Sequence, residues 1–297
     1  MASSIPVSDP ATPLDDRRAS PQRRALARLR ANPAAWASAG FVLVLCVMTV
    51  ALHLLLPADT PYAISKDVLQ APGDRYWLGT DDLGRSVLML VIWGARVSLT
   101  VGIVSAAAAG VIGIVIGAVA AYVGGALDMV VMRVTEFFQV MPIFVLAALI
   151  VAMAGPGESR VIVVIAALAW PQTARLIRSE VLRIKALGYI EAARCLGISE
   201  SRILIFDVVP NALAPVIAVS TLTAAFAILL EAALSFFGLT SADTISWGLI
   251  LSAGQRLIFQ AWWLSLFPGL MILLTALAFN VFGDCVREAL DPRSDGE

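Results

Sequence analysis

The stretch EAARCLGISESRILIFDVVP, from Glu191 to Pro210, is a charged and partly amphipathic segment between two long apolar blocks. Four cations stand just before it, at Arg175, Arg178, Arg183 and Lys185. Apolar runs of about 20 residues are long enough to cross the hydrocarbon core of a bilayer. A charged insert between two such runs indicates a loop that joins two transmembrane helices, and we expect the fold to be organised around it.

The composition is that of a membrane protein. The 297 residues are 59% hydrophobic and only 14% charged, with a mean hydropathy of +0.86. Soluble domains carry roughly 25% charged residues. The sequence therefore predicts an all-α integral membrane protein with several spans.

We predict six transmembrane helices, separated by segments on alternating sides of the membrane. The spans are residues 34–56, 97–123, 137–154, 161–174, 212–237 and 262–282. The predicted organisation is an N-terminal tail (1–33), the first helix (34–56), an outer segment (57–96), a core of five helices (97–284) with a polar loop at about 175–210, and a C-terminal tail (285–297).

The distribution of basic residues sets the expected orientation. With the N-terminus inside, the inner segments hold 15 of the 21 Lys and Arg residues. The outer segments hold Lys66, Arg75, Arg85, Arg96, Arg160 and Arg256. Because positive charge concentrates on the cytoplasmic side, both termini and the loop at 175–210 are predicted to be cytoplasmic.

The second span contains a row of small residues. Gly113 and Gly117 form a G-x-x-x-G pair, and Gly110 extends the row. Small residues at this spacing let helices approach closely in lipid. We expect this row to be a helix-packing face.

Few ionisable residues stand at membrane depth. Glu231 lies within the fifth span, where it would either line a translocation path or pair with a neighbouring helix, and we favour pairing. Asp128, Arg133 and Glu136 precede the third span and are interpreted as structural ion pairs. Arg133 and Glu136, three residues apart, share a helical face.

Aromatic residues cluster in the last outer segment, where Trp247, Trp262 and Trp263 suit an interfacial belt. Trp247 is also, with Glu231, a candidate residue of a pathway or gate.

The sequence contains no enzymatic motif. Its two lysines, Lys66 and Lys185, do not belong to a Gly-Lys-Ser/Thr turn, so the phosphate-binding loop of an ATPase is missing. One histidine, His53, cannot form a common metal site, and the three cysteines lack metal or disulfide spacing. We expect no catalytic residues, no metal and no cofactor in this chain.

The segment from Gly188 to Arg202 is predicted to hold a short helix that glycines end on both sides. On such a helix Ile190, Ala193 and Leu196 share one face, and Glu191 can pair with Arg194. A short helix with an apolar and a charged side suits docking into the groove of a partner protein. The alternative is a helix that lies on the membrane surface.

The same segment resembles a known family. Glu191, Ala192, Ala193 and Gly197 form E-A-A-x-x-x-G, which is followed thirteen residues later by Pro210, as in permease subunits of bacterial ABC importers. Asp207 and Val209 depart from the family's I-x-L-P ending, and Glu136 stands where the family often has Asp. Further matching stretches are NPAAW (32–36), WLGTDDLGRSVL (77–88), WGARVSL (93–99), DMVVMRVTEFFQVMP (128–142), LEAALSFFGL (230–239), SWG (246–248) and FGDCVREALDPR (282–293).

These stretches cover nearly the whole chain and are similar to the dipeptide/oligopeptide/nickel subfamily, with an ending like that of its C-type subunit. The resemblance implies a type I ABC importer permease fold in a bacterial cytoplasmic membrane. It also implies a homologous second permease, cytoplasmic ATPase subunits that bind ATP and Mg²⁺, an extracytoplasmic substrate-binding protein, and no nucleic-acid partner. The loop would be a coupling helix, with the residues Tyr189, Glu191, Ala192, Ala193, Leu196, Gly197, Arg202 and Pro210 as ATPase-coupling positions.

The function implied is ATP-driven import of di- or oligopeptides. The same class of importer carrying a nickel chelate, glutathione or haem is the alternative. A self-contained channel or ion-driven carrier is the rival from another class, but it would need more polar groups at mid-membrane than Glu231.

Overall fold

The structure is a computed structural model that describes residues 27–57, 60–241 and 243–290. Helices make up most of these ranges, and the only strand-like pairing within them is an isolated bridge between Thr80 and Ser86. The helices are α1 (Pro33–Leu55), α2 (Val87–Val123), α3 (Gly125–Val140), α4 (Ile143–Ala154), α5 (Glu158–Lys185), α6 (Gly188–Cys195), α7 (Glu200–Phe236), α8 (Trp247–Gln255) and α9 (Trp263–Leu290).

Five of these helices, α1, α2, α5, α7 and α9, are long and apolar enough to cross a membrane. The pair α3 and α4 passes the same test together but is bent by 91°. The predicted all-α, multi-span fold class is confirmed.

Two hydrogen bonds show that α2 and α5 run in the same direction. Near one end, the Ser105 hydroxyl donates to the Ile162 carbonyl at 3.4 Å. Near the other end, the Lys185 ammonium donates to the Tyr122 carbonyl at 2.6 Å. The chain leaves α2 at one end of the bundle and enters α5 at the opposite end. The bent pair α3–α4 must therefore carry the chain across once, as the sixth crossing.

The predicted packing face on α2 meets α5. A Cβ atom added at Gly113 would lie 2.6 Å from Cβ of Thr173, and one at Gly117 would overlap Ala174 and Ile177. Only glycine permits this approach, which agrees with the G-x-x-x-G interpretation.

The outer segment includes a tight loop fixed to the start of α9. The Asp81 carboxylate accepts from the backbone amide of Leu83 at 3.0 Å and pairs with the Arg85 guanidinium at 2.6 Å. The Trp263 indole N–H donates to the Thr80 carbonyl at 3.0 Å. This part of the outer segment is thereby held against the bundle.

Most predicted spans were shorter than the observed helices, because hydropathy detects only the apolar part of a helix. Helix α2 begins at Val87, inside the predicted outer segment and ten residues before the predicted start. The prediction began at residue 97 because Arg96 interrupts the apolar run. The Arg96 guanidinium lies 3.3 Å from His53 Nε2 on α1. Helix α9 likewise continues past residue 282 to Leu290.

The predicted third and fourth spans and the polar loop also needed correction. Residues 137–154 are not one straight span, because the chain turns at Met141 and Pro142. Helix α5 continues through Pro171 to Lys185, so residues 175–185 of the predicted loop are helical.

The fifth span starts at Glu200 rather than at residue 212 and passes through a π-helical turn, Ile203–Val208. Pro210 follows that turn at a first-turn position, where its missing N–H is tolerated.

The division into tails and core remains a prediction. Residues 1–26 of the predicted N-terminal tail and 291–297 of the C-terminal tail lie outside the described residues.

Candidate functional site

Helix α6 connects α5 and α7 at the end of the bundle where α2 finishes. Its apolar side is anchored in its own chain, because Ile190 is fully buried against a cluster that includes Ile177 and Val181 of α5. Ala193 packs at the edge of the same cluster. The helix is thus attached to the bundle along one side only.

The other side of α6 is open. Glu191 and Ala192 are exposed, and Tyr189 is half-exposed at 49%. Leu196, predicted to share the face of Ile190, is instead 80% exposed. The reason is that six residues separate Leu196 from Ile190, which rotates Leu196 about 120° away from that face on a helix of 3.6 residues per turn.

A Schellman motif ends α6. The amide of Gly197 donates to the Arg194 carbonyl at 2.9 Å, and the amide of Ile198 donates to the Ala193 carbonyl at 3.2 Å. Gly197 has a φ of +76°, a conformation that glycine adopts without steric cost, and no atom lies within 4 Å of a Cβ built there. The glycine in E-A-A-x-x-x-G therefore stops the helix and leaves an open surface beyond it.

Glu200 ties α6 to the bundle. The Arg194 guanidinium donates to the Glu200 carboxylate at 3.0 Å, in place of the predicted pair with Glu191. The Tyr122 hydroxyl at the end of α2 donates to the same carboxylate, and the Lys185 ammonium lies over the Tyr122 ring. Sequence reasoning missed Tyr122 and Glu200, since no local spacing relates residues so far apart in the chain.

Arg202 and Asp207 line an open cavity of about 620 Å³ beside α6. Arg202 and Pro210 are exposed, and the Asp207 carbonyl accepts from the Asn211 side chain at 2.6 Å. The departure from the family pattern at Asp207 thus lies on the accessible surface next to α6.

The predicted ion-pair group divides in two. Arg133 and Glu136 pair at 2.9 Å on the exposed side of α3. Asp128 pairs with Arg178 of α5 instead, through two hydrogen bonds of 2.6 Å each. A separation of five residues turns Asp128 away from Arg133, whereas the packing of α3 on α5 brings Arg178 within reach.

Glu231 is 1% exposed and bonded to hydroxyl groups. Ser98 on α2 donates to one carboxyl oxygen at 3.0 Å, and Ser235 donates to the other at 2.6 Å. The hydroxyls of Thr240 and Ser246 in turn donate to Ser235. The adjoining cavity, only about 10 Å³, reaches Glu158. These contacts fit the favoured interpretation of pairing between helices.

Trp247 is also buried. Its indole N–H donates to the Val91 carbonyl at 2.8 Å, and α8 packs between α2 and α7. The interfacial-belt interpretation is wrong for Trp247 and Trp263, which are both inside the protein, while Trp262 is half-exposed. A pathway or gate role for Glu231 and Trp247 stays a prediction.

Comparisons with known proteins identify the family. Residues 113–296 match the family described as "Binding-protein-dependent transport system inner membrane component". Residues 20–72 match the "N-terminal TM domain of oligopeptide transport permease C".

Three relatives align over most of their length. The dipeptide transport system permease protein DppC of Alkalihalophilus pseudofirmus is 36% identical over 92% of this chain and 90% of its own. A putative peptide transport system permease protein of Brucella suis is 39% identical, covering 84% and 86% of the two chains. The glutathione transport system permease protein GsiD of Pectobacterium atrosepticum is 34% identical, covering 85% of each. The chain therefore belongs to the binding-protein-dependent transport system inner membrane components, as a C-type permease subunit of the ABC importer class.

Proposed function

We propose that the chain is one of two different permease subunits of an ATP-driven importer for di- or oligopeptides. Two of the named relatives support this substrate class, because they carry dipeptide or peptide in their names. The third carries glutathione, which is the alternative substrate. A nickel chelate or haem finds no support among these three names.

The observation that carries the proposal is the one-sided attachment of α6. Ile190 fixes the helix to α5, and the Arg194–Glu200 pair fixes it to α7, while Glu191, Ala192 and Gly197 face outward. An ATPase subunit that seats on this open side and moves would displace the ends of α5 and α7 together. The sequence has no Gly-Lys-Ser/Thr turn, so ATP and Mg²⁺ would be bound by that separate subunit.

The proposed orientation places α6 and both termini in the cytoplasm and the loop before α2 outside. The parallel course of α2 and α5 supports an even number of crossings, and the excess of basic residues at the α6 end supports the direction. The loop before α2 and the α8 region would then face the substrate-binding protein.

The test compares two substitutions at Gly197 in the complex reconstituted with its ATPases, second permease and binding protein. Gly197→Trp and Gly197→Ala share the strain of a left-handed backbone, about 1–2 kcal/mol, but only Trp fills the open surface. We expect Gly197→Trp to reduce peptide uptake at least tenfold relative to Gly197→Ala, at equal amounts of chain in the membrane. In Gly197→Trp, we also expect that ATP hydrolysis no longer responds to loaded binding protein.

Normal uptake by Gly197→Trp would refute ATPase docking at this surface. Peptide accumulation by the chain alone, driven by an ion gradient, would instead establish the rival carrier class.

A further inference from the structure

The bend between α3 and α4 opens a groove of about 400 Å³ that the sequence did not reveal. Gln139 and Met141 border it at the bend, Pro171 and Gln172 come from α5, and Phe226 comes from α7. Because Gln172 lies near the middle of α5, the groove lies near the middle of the bundle.

Two amide side chains enter this groove. Gln139 and Gln172 are both exposed, and the Gln139 carbonyl oxygen accepts from the Arg175 guanidinium. A polar group in hydrocarbon without a hydrogen-bond partner costs several kcal/mol, roughly 2–7. The Gln139 amide is partnered by Arg175, whereas the exposed Gln172 amide has no hydrogen bond within the described residues, so Gln172 indicates polar surroundings rather than lipid tails.

The backbone at the groove leads to the same conclusion. Helix α3 ends at Val140, so its last carbonyl groups lack intrahelical partners. Pro171 has no N–H, which leaves the carbonyl of Ala167 without its usual partner in α5. Irregular backbone at membrane depth is tolerated where it is buried in protein or lines a water-filled cavity.

The chemistry of the lining indicates a class of ligand. Among the described residues that line the groove, none is ionisable, and apolar side chains such as Phe226 and Met141 surround the amides. A primary amide both donates and accepts hydrogen bonds, so it complements the peptide group in any sequence. Apolar walls tolerate side chains of varied shape.

We propose that this groove is the part of the substrate path that binds the peptide backbone, through the amides of Gln139 and Gln172. The inference rests on the proposed function, and it adds the residues of this chain that contact the substrate. The competing possibility is that the second permease covers the groove, so that no peptide reaches it.

The first experiment replaces Gln172 in the complete reconstituted importer. Gln172→Leu keeps the size of the side chain but cannot hydrogen bond, and we expect peptide uptake to fall about five- to tenfold. Gln172→Asn should recover part of the uptake. Val163→Leu is the matched control, because Val163 is 65% exposed on the opposite face of α5. Val163→Leu should leave both peptide uptake and basal ATP hydrolysis unchanged.

The second experiment measures access to water. Gln172→Cys and Val163→Cys are compared after Cys46, Cys195 and Cys285 are replaced by serine, using a charged maleimide with and without a non-hydrolysable ATP analogue. We expect labelling at position 172 that peptide and loaded binding protein suppress, and little labelling at position 163.

The outcomes separate the two proposals. If the wild-type complex takes up no peptide, the proposed function fails and the peptide claim falls with it. If wild-type uptake is normal but Gln172→Leu transports equally well, only the groove assignment is wrong. Absence of labelling at position 172 in every nucleotide state would show that the second permease or lipid covers the groove.

Discussion

At the scale of single residues, the Glu231 carboxyl group is buried and accepts a hydrogen bond on each oxygen. Its two oxygens accept from Ser98 on α2 and Ser235 on α7, and Ser235 also accepts from Ser246 at the start of α8. Three elements therefore depend on one buried acceptor. Hydroxyl groups left without an acceptor in such an interior are costly, because water cannot replace the lost partner.

We predict that Glu231→Ala lowers the stability of the purified chain by about 1–3 kcal/mol, the cost of leaving buried donors unsatisfied. Thermal unfolding in detergent would show this as a melting temperature several degrees below wild type. Glu136→Ala, which removes a carboxylate 52% exposed, should stay within about 0.5 kcal/mol. Equal melting temperatures for both variants would contradict a structural role for the Glu231 cluster.

Residue-level interpretation from the sequence succeeded where local spacing decides the contact. The Arg133–Glu136 pair follows from a separation of three on a helix, and Gly197 follows from the glycine preference at helix ends. The suggested pairing of Arg194 with Glu191 was wrong, because Glu200 reaches Arg194 through a chain reversal. Asp128 does form an ion pair, but its partner Arg178 could not be named from the sequence because helix packing brings the two together. The prediction for Leu196 failed because two successive steps of three residues place it about 120° from Ile190 on a helix of 3.6 residues per turn.

At the scale of elements, the junction of α3 and α5 is held by a charged contact. Asp128 and Arg178 form two parallel hydrogen bonds, and their side chains are 17% and 33% exposed. Bidentate guanidinium–carboxylate pairs combine fixed geometry with charge-assisted bonds. This pair fixes the start of the bent crossing that carries the proposed groove.

We predict that Asp128→Asn and Arg178→Gln each destabilise the solubilised chain by about 1–2 kcal/mol, and that the double substitution costs less than their sum. The double-mutant cycle would be measured by thermal unfolding. The same cycle on Arg133 and Glu136, a pair 79% and 52% exposed, should give a coupling near zero. Strict additivity at Asp128 and Arg178 would mean that the pair contributes nothing to the junction.

Hydropathy predicted the long apolar helices, but it missed α8 and did not determine where the helices end. Helices α5 and α9 continue into polar sequence, since backbone hydrogen bonding does not stop at the lipid boundary. The bend between α3 and α4 did leave a signal, because Pro142 disfavours helix at Met141. The 91° angle itself depends on packing against α5, which no local pattern contains.

At the scale of the whole molecule, α7 is the candidate span between α6 and the loop before α9, which are therefore expected on opposite sides of the membrane. We predict that native Cys195, which is exposed on α6, reacts with a membrane-impermeant thiol reagent only from the cytoplasmic side. A cysteine introduced at Phe259, the fully exposed tip between α8 and α9, should react only from the outside.

Right-side-out and inverted vesicles that contain the chain without its ATPases would provide the measurement. Labelling of both positions from the same side would mean that α7 does not cross. The orientation would be reversed if Cys195 reacted from the outside and position 259 from the inside.

The packing of α1 bears on the order in which the protein is made. Leu45 of α1 packs in the cluster that holds Ile272, Ala276 and Phe279 of α9, the last helix of the described chain. During synthesis α1 enters the bilayer long before α9 leaves the ribosome, and in this interval it can pack on α2 but not on α9. The helix is stable in the bilayer during this interval, because its exposed face is apolar and can contact lipid. This face consists of Leu43, Val44, Val47 and Val50. Final assembly of the bundle is therefore a late event, completed only after α9 has been translated.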